Sequence, residues 1–275
     1  MACRQSVDPE IVVKEPGDQR SPAFLPDGRR IVFSEAVDGF PPDLILYEMK
    51  TGERRRLTTD PNGDNSPAVS PDGRWIAFHS DRTGGSDIYR LDLETSGLVR
   101  LTANPTRDGF ADWAPDGEDI IFHSEGAGDP DIWIMDRDGT EKLPLLLEKG
   151  VDSTPAWSPD GNAIACLSER DGNGDIWWYG LEGEEEPRRL TSSPEAEWSP
   201  AWSPDGTRIA YSRGPMDGGH ANLWLMNADG TEQRPITERG EWDDFDPAWS
   251  PDGKWIFFES NREGDFDIWR VRVPK

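Results

Sequence analysis

The tripeptide Pro-Asp-Gly occurs six times along the chain at nearly constant spacing. Its prolines are Pro26, Pro71, Pro115, Pro159, Pro204 and Pro251, which lie 45, 44, 44, 45 and 47 residues apart. A period of this length is typical of proteins that repeat one supersecondary unit. The chain of 275 residues therefore holds six copies of one unit, and this repetition constrains the fold more than any single residue does.

Each unit has the pattern of four short strands. The first strand ends in an aromatic residue or Val just before Pro-Asp-Gly, and an apolar run such as Ile76-Ala77-Phe78 follows, which predicts a hairpin with Asp-Gly in its turn. A third strand begins at segments such as Asp175-Ile176-Trp177, and pairs such as Leu57-Thr58 mark a fourth. Four antiparallel strands per unit correspond to one blade of a β-propeller.

The two ends of the chain complement one another. The sixth unit stops after its third strand, at Val271 to Val273, whereas Ile11-Val12-Val13 lies before Pro26 at the spacing of a fourth strand. Because exposed strand edges invite aggregation, residues 10–14 are predicted to supply the missing strand and close the ring. We therefore expect one all-β domain over residues 1–275, a six-bladed propeller of four-stranded antiparallel blades, with a tail at residues 1–9.

The composition argues against several classes of protein. With 54 acidic and 29 basic residues the net charge is −25, so the long-range field repels nucleic acids and anionic lipids and favours cationic partners. No stretch of about 18 apolar residues is present to span a membrane, and Met1 to Gln5 lead into no apolar signal-peptide core. From the residues alone we expect a monomer without nucleic-acid partners or membrane insertion, either cytoplasmic or beginning at a processed start.

The repeats resemble those of a known family. Segments such as Pro155 to Gly161, Pro200 to Gly206 and Ser168 to Trp177 look like the repeats of the TolB-like propellers, and the likeness extends over all six units. This resemblance implies a periplasmic or cell-envelope protein whose propeller binds other proteins. The same repeats are similar to those of oligogalacturonate lyases. They also resemble the propeller halves of dipeptidyl-peptidase-like enzymes, whose hydrolase domain needs a Gly-x-Ser-x-Gly turn that this sequence lacks.

One repeated position carries a carboxylate in five of the six units. The residues seven before each Pro-Asp-Gly proline are Gln19, Asp64, Asp108, Asp152, Glu197 and Asp244. If the first strand of each unit is innermost, these side chains surround one mouth of the central channel. Crowded carboxylates attract a cation, so the five acids are candidate ligand-binding residues for Ca²⁺ or for a basic partner. Alternatively, each carboxylate caps backbone N–H groups of its own loop.

The histidines suggest a second candidate site. A two-residue hairpin loop would set Asp64 opposite His79, Asp108 opposite His123 and Asp244 opposite Glu259. Imidazoles and carboxylates together can ligate a transition metal, or act as a base and its orienting group. His79, His123 and Glu259 are therefore candidate metal ligands. The alternative is a structural histidine pair, because a one-residue error in register would turn the imidazoles away from the carboxylates.

Two functions follow as expectations. The first is a non-enzymatic propeller that binds a basic protein or peptide through an acidic channel face, with or without a bound cation. The alternative is a metal-dependent enzyme, either similar to polysaccharide lyases or hydrolytic, that uses His79 and His123 with neighbouring carboxylates.

Overall fold

The chain folds entirely into β-structure. The computed structural model describes residues 8–126, 128–147, 149–181, 186–215 and 219–274. These residues form 24 strands and no helix, so none of them belongs to a helix of the length and hydropathy that a membrane crossing requires. The strands pair as six antiparallel sheets of four, arranged in a ring. The predicted six-bladed propeller is confirmed, whereas most of the tail expected at residues 1–9 lies outside the described residues.

Every blade has the same order of strands from the channel outwards, and the blades are numbered 1 to 6 by their innermost strands. The innermost strands are β2 (Asp18–Phe24), β6 (Asp64–Val69), β10 (Asp108–Trp113), β14 (Asp152–Trp157), β18 (Ala196–Trp202) and β22 (Asp244–Trp249). The second strands are β3 (Arg30–Ala36), β7 (Trp75–Ser80), β11 (Asp119–Ser124), β15 (Ala163–Ser168), β19 (Arg208–Gly214) and β23 (Trp255–Glu263).

The outer half of each blade is formed by two further strands. The third strands are β4 (Asp43–Glu48), β8 (Asp87–Asp92), β12 (Asp131–Asp136), β16 (Asp175–Gly180), β20 (Asn222–Asn227) and β24 (Asp265–Arg272). The outermost strands are β5 (Glu53–Arg56), β9 (Leu98–Arg100), β13 (Leu143–Leu146), β17 (Arg188–Arg189), β21 (Arg234–Pro235) and, in blade 6, β1 (Glu10–Val13).

The Pro-Asp-Gly turns are longer than the two-residue loop predicted for them. In blade 2 the N–H of Ser70 donates to the carbonyl of Trp75 at 2.9 Å, which leaves a loop of four residues, Pro71 to Arg74. Asp72 holds this loop, because its carboxylate accepts hydrogen bonds from the Ser70 hydroxyl at 2.6 Å and from the Arg74 N–H at 2.9 Å. Gly73 takes a positive φ of 72°, a conformation that glycine adopts without steric cost.

The N-terminal strand closes the ring as predicted. Glu10 pairs with Arg270 and Val13 with Ile268 of β24, so β1 becomes the outermost strand of blade 6. Val13 is buried against the core that blades 1 and 6 share. The Glu10 carboxylate also accepts a hydrogen bond from Arg270 at 2.5 Å. Hydrogen bonding and apolar burial therefore both stabilise the closure.

Adjacent blades are joined by apolar packing and by tryptophans. The hydrophobic clusters lie between blades, as where Leu25 and Val32 of blade 1 contact Ile76 and Phe78 of blade 2. At the end of three innermost strands an indole N–H donates to a carbonyl of the preceding blade; the pairs are Trp113 with Ala68 (3.2 Å), Trp202 with Ala156 (3.2 Å) and Trp249 with Ala201 (3.0 Å). These bonds fix the innermost strands around the channel.

Candidate ligand-binding channel

The six innermost strands surround a central channel. Its half nearer the Pro-Asp-Gly turns forms a cavity of about 540 Å³, which we call the channel cavity. All six innermost strands contribute to its wall, and the turn prolines Pro71, Pro115, Pro159, Pro204 and Pro251 lie at its rim. A concave, mostly apolar space of this size is typical of a ligand-binding site.

Each innermost strand carries a β-bulge that projects one side chain into the channel cavity. Five residues before each Pro-Asp-Gly proline the backbone takes a left-handed φ of 47° to 51°, at Ser21, Ser66, Phe110, Thr154, Ser199 and Asp246. None of these residues is glycine, so each bulge costs about 1 kcal/mol of backbone strain. Because the strain recurs in every blade, the bulge belongs to the architecture of the ring.

The wall of the channel cavity is apolar and acidic. Its aromatic and aliphatic surface comes from the last residues of the innermost strands, Phe24, Val69, Trp113, Trp157, Trp202 and Trp249. Among the described residues that line it, only Asp112 and Asp246 carry an ionisable side chain, and neither Lys, Arg nor His is present. The channel cavity is thus a negatively charged apolar space.

Asp112 interrupts the repeat. Three residues before the Pro-Asp-Gly proline the other five blades have alanine: Ala23, Ala68, Ala156, Ala201 and Ala248. The Asp112 carboxylate accepts hydrogen bonds from the N–H of Trp157 at 2.8 Å and from that of Trp113 at 3.0 Å. Burial nevertheless raises the pKa of Asp112 to about 6, against the opposing effect of these two bonds. Asp112 can therefore gain or lose a proton near neutral pH.

Asp246 stands at the bulge position of blade 6. Its two oxygens accept hydrogen bonds from the hydroxyls of Ser21 at 2.9 Å and Ser199 at 2.7 Å, so it links three neighbouring blades. Glu259 lies close by and accepts hydrogen bonds from the Ser21 N–H at 2.8 Å and from Arg20 at 3.2 Å. Burial raises the pKa of Glu259 to about 8, the Asp246 charge adds to this rise, and Arg20 opposes it.

The five carboxylates predicted at the channel mouth are buried within their blades. Asp64, Asp108, Asp152, Glu197 and Asp244 are all 0% exposed and do not line the channel cavity. Four of them pair with an arginine of their own blade: Asp64 with Arg82 (2.7 Å), Asp152 with Arg170 (3.5 Å), Glu197 with Arg213 (3.6 Å) and Asp244 with Arg262 (2.6 Å). Their side chains are therefore not exposed at the mouth; a ligand-binding role for them stays a prediction.

Burial dominates the titration of four of these acids. It raises the pKa of Asp108, Asp152 and Asp244 above the ordinary value, and that of Glu197 to about 7. The neighbouring arginines oppose the rise at Asp152, Glu197 and Asp244. The cations predicted to neutralise the five acids are thus, in four blades, the chain's own arginines.

The predicted register of the central hairpins is wrong by one residue. Asp64 pairs with Ser80, and His79 pairs with Asn65 instead. Compared with the register predicted for a two-residue loop, the four-residue turn shifts the pairing by two residues. The bulge at Ser66 then shifts the pairing by one residue in the opposite direction, so the net difference is one residue. The pairs that form are Gln19 with Glu35, Asp64 with Ser80, Asp108 with Ser124, Asp152 with Ser168, Glu197 with Arg213, and Asp244 with Ser260.

His79 and His123 come together, but away from the carboxylates predicted beside them. Both imidazoles contact the Phe110 ring, with centroids 5.7 and 5.1 Å away, and they flank Gly109. Burial lowers the pKa of both to about 4, and the Arg107 charge acts in the same direction. The pair is therefore neutral at pH 7.

The three candidate metal ligands do not form a cluster. Glu259 belongs to blade 6 and is engaged with Arg20 and Ser21, whereas His79 and His123 belong to blades 2 and 3. In the described part of the chain no three His, Cys, Asp or Glu side chains converge as metal ligands would. The register shift that separates the imidazoles from Asp64 and Asp108 explains this arrangement.

Asp112 and Asp246 were not predicted as site residues. A signal for both was present in the sequence, since each is an acid at a repeat position where the other five blades have a neutral side chain. A ligand-binding site was predicted instead at the position where five blades carry a carboxylate. In this chain the recurring acids are buried within the blades, and the acids that break the repeat face the channel.

Comparison with known proteins agrees with this architecture. A family model described as the TolB beta propeller domain matches residues 5–109, 109–214 and 187–275. No curated protein sequence matches the chain.

Several solved structures share the fold. A putative TolB from Agrobacterium tumefaciens is 25% identical, with a TM-score of 0.75 over 97% of this chain and 94% of that one. TolB from Acinetobacter baumannii is 22% identical, with a TM-score of 0.74 over 90% of this chain, which spans only 64% of that protein's length. An oligogalacturonate lyase from Vibrio parahaemolyticus is 15% identical, with a TM-score of 0.67 over 99% of this chain and 95% of that one. The last two likenesses show the fold alone.

The family model covers nearly all of the sequence, and the six-bladed ring has the architecture that the family name describes. The chain belongs to the TolB beta propeller domain family.

Proposed function

We propose that this propeller is a non-enzymatic binding module whose channel cavity accepts an apolar, positively charged segment of a partner protein. The observation that carries the proposal is the wall of the cavity, which combines aromatic surface with two carboxylates and no basic side chain. A cationic side chain next to Asp112 or Asp246 would gain a charge-assisted hydrogen bond in a partly dehydrated space. The proposal moves the binding face to the Pro-Asp-Gly turns, opposite the face expected from the sequence.

The size and rigidity of the cavity support a peptide segment as ligand. A space of about 540 Å³ is large enough for a few side chains, and the indole bonds between blades hold its wall in place. A preformed wall reduces the ordering cost of association. The net charge of −25 attracts a basic partner at long range. The proposal includes a bacterial envelope location, which the resemblance to TolB-like propellers supports.

The enzymatic alternative has less support. A metal-dependent lyase needs a base and a cation close together. Among the described residues His79 and His123 meet without a carboxylate, and His220 lies 3.5 Å from Asp243. In the same part of the chain no third His, Cys, Asp or Glu side chain joins either pair as a metal ligand would. No arrangement in that part of the chain favours the lyase over the binding module.

Selection from a random peptide library displayed on phage tests the proposal. The folded protein should enrich peptides that combine Lys or Arg with apolar residues. Two variants restore the repeat and so leave the fold intact: Asp112→Ala gives the alanine of the other five blades, and Asp246→Ser gives the residue of blades 1, 2 and 5. Each should weaken an enriched peptide about tenfold or more, the loss expected for a hydrogen bond between charged groups.

The double variant Glu94→Gln, Glu232→Gln is the matched control, because it removes two exposed acids outside the channel. It should bind the peptide as the unmodified protein does, apart from a small salt-dependent loss. Equal loss in the control and in the channel variants would mean that the net charge, not the channel cavity, binds the peptide. Failure to enrich any peptide would contradict the proposal.

A further inference from the structure

Three blades share an arrangement built around an arginine. Arg82, Arg170 and Arg262 each follow two residues after the serine that ends or nearly ends the second strand, and each donates through Nε to that serine. The bonds are Arg82 to Ser80 (2.8 Å), Arg170 to Ser168 (2.9 Å) and Arg262 to Ser260 (3.0 Å). The bond ties the arginine, which follows the second strand, to the end of that strand.

The guanidinium group in these blades lies between an aromatic ring and a buried acid. Its carbon sits over the ring of the third strand, at 4.6 Å from Tyr89, 4.5 Å from Trp177 and 4.8 Å from Trp269. The same group pairs with Asp64, Asp152 or Asp244. Stacking on an aromatic face together with a carboxylate is the environment that a planar guanidinium prefers. Blade 5 reaches a related arrangement with Arg213, which contacts Glu197 and lies 4.2 Å from the Trp224 ring.

Blade 3 has the same surroundings but lacks the arginine. Ser124, Asp108 and Trp133 occupy the serine, carboxylate and aromatic positions, and Gly126 stands where the arginine would be. The space that an arginine side chain fills in blades 2, 4 and 6 is a cavity of about 510 Å³ in blade 3. We call it the blade 3 cavity, and these four residues are part of its lining. The missing side chain has therefore left a site shaped by the repeat for a guanidinium.

Asp108 is the buried acid without a cation. Its side chain is 0% exposed, and no Lys or Arg pairs with it among the described residues, unlike the other four acids of this position. Asn104 supplies a neutral substitute, donating to Asp108 Oδ1 at 3.2 Å and to the Ser124 hydroxyl at 3.4 Å. Asp108 Oδ2 accepts no hydrogen bond, but the equivalent acids in blades 2, 4, 5 and 6 also have one oxygen without a donor. Within the part of the chain that the structure describes, blade 3 therefore differs from those blades in lacking a positively charged partner for its acid.

The blade 3 cavity is accessible and offers a further acceptor. Asn104, Pro105 and Gly126 on its wall are exposed, so a ligand can enter from solvent. The buried hydroxyl of Thr106 has no partner and faces the same space. Lys142 also lines this space, and its amine donates a hydrogen bond to the carbonyl of Gly139.

We propose that the blade 3 cavity is a second binding site, distinct from the channel cavity, that takes a guanidinium group of a ligand. The ligand's planar cation stacks on Trp133, pairs with Asp108 and donates to Ser124, as arginine does in blades 2, 4 and 6. The group can belong to a free small cation or to an arginine side chain of a partner protein. Both sources share this chemistry.

Calorimetric titration of the full chain tests the site with two guanidinium probes, agmatine and N-acetyl-arginine-N-methylamide, and with cadaverine and N-acetyl-lysine-N-methylamide as the matching amines. At least one guanidinium probe should bind saturably at millimolar concentration or below, and about tenfold or more tightly than its amine. Binding of agmatine alone identifies a free cation as ligand, and binding of the arginine analogue alone identifies a partner's side chain. Absence of binding by both, or equal binding of amines, overturns the proposal.

Two variants locate the binding. Gly126→Arg gives blade 3 the arginine of its neighbours; a side chain fits there, because a Cβ on Gly126 meets nothing nearer than 3.5 Å and its φ is not left-handed. It should abolish probe binding and raise the melting temperature by about 2 to 4 °C, since it neutralises Asp108. Asp108→Asn should weaken binding about tenfold or more without filling the cavity.

Gly85→Arg is the matched control, because it adds the same charge in the corresponding loop of blade 2, where no atom lies within 4 Å of the new Cβ. It should leave probe binding unchanged. Retention of binding in both Gly126→Arg and Asp108→Asn would overturn the assignment of the site, whatever the stability of either variant.

Discussion

At the scale of single residues, an aspartate has a different role at each repeat position. Seven residues before the Pro-Asp-Gly proline it is buried beside an arginine, as Asp64 is beside Arg82. Three or five residues before that proline, at Asp112 and Asp246, it faces the channel cavity. The position within the repeat therefore decides whether an acid is buried within its blade or faces the channel cavity.

Asp112 makes stability depend on pH. Its pKa in the folded protein is about 6, above the ordinary value of 3.8, so the folded chain binds more protons than the unfolded chain between these values. The contribution of Asp112 to stability is fully present below pH 3.8 and is lost as pH rises through 6. In Asp112→Asn the free energy of unfolding should lack this decline.

Urea unfolding at pH 4 and pH 7 measures this effect. Between pH 4 and pH 7 the free energy of unfolding of Asp112→Asn should rise by about 2 kcal/mol relative to that of the unmodified protein. This is the size of effect expected for such a pKa shift. The value at pH 4 serves as the internal reference, because Asp112 is then largely protonated. Parallel pH profiles for the two proteins would show that burial does not raise the pKa of Asp112.

At the scale of the element, strand order was predictable from the sequence and register was not. The Pro-Asp-Gly spacing and the apolar runs give the four strands of each blade. Register depends on the length of the turn and on the bulge, and neither is visible as a residue type: the bulge occurs at Ser, Phe, Thr and Asp alike. The imidazoles of His79 and His123 were therefore predicted beside the wrong residues.

The N-terminal strand provides a test at this scale. Val13 is 2% exposed in the core of blades 1 and 6, whereas Ile11 in the same strand is 38% exposed. Val13→Ala should destabilise the protein by about 2 kcal/mol, which lowers the melting temperature by about 4 to 8 °C. Ile11→Ala is the matched control and should shift it by less than half as much. Similar shifts for both variants, measured by calorimetry, would contradict the packing of β1 against the ring.

At the scale of the whole molecule, the contacts that hold the ring together lie apart from the sites proposed for binding. Apolar clusters and tryptophan hydrogen bonds join neighbouring blades, and buried acid–arginine pairs link strands within four of the blades. The proposed binding sites lie at departures from the repeat: Asp112 and Asp246 each differ from the other five blades, and Gly126 replaces the arginine of blades 2, 4 and 6. These departures could have been found by aligning the repeats. Their placement, in the channel or in a cavity, needed the folded ring, because it depends on the bulges and on which side chains are missing.

The central claim is that the channel cavity binds a basic, apolar segment, and a crystal structure with a library-selected peptide tests it most directly. The account predicts that the peptide enters the channel from the face of the Pro-Asp-Gly turns, with apolar side chains against Trp157 or Trp202. Its Lys or Arg should lie within hydrogen-bonding distance of Asp112 or Asp246. A peptide bound on the opposite face, or along the outermost strands with the channel cavity unfilled, would contradict the account.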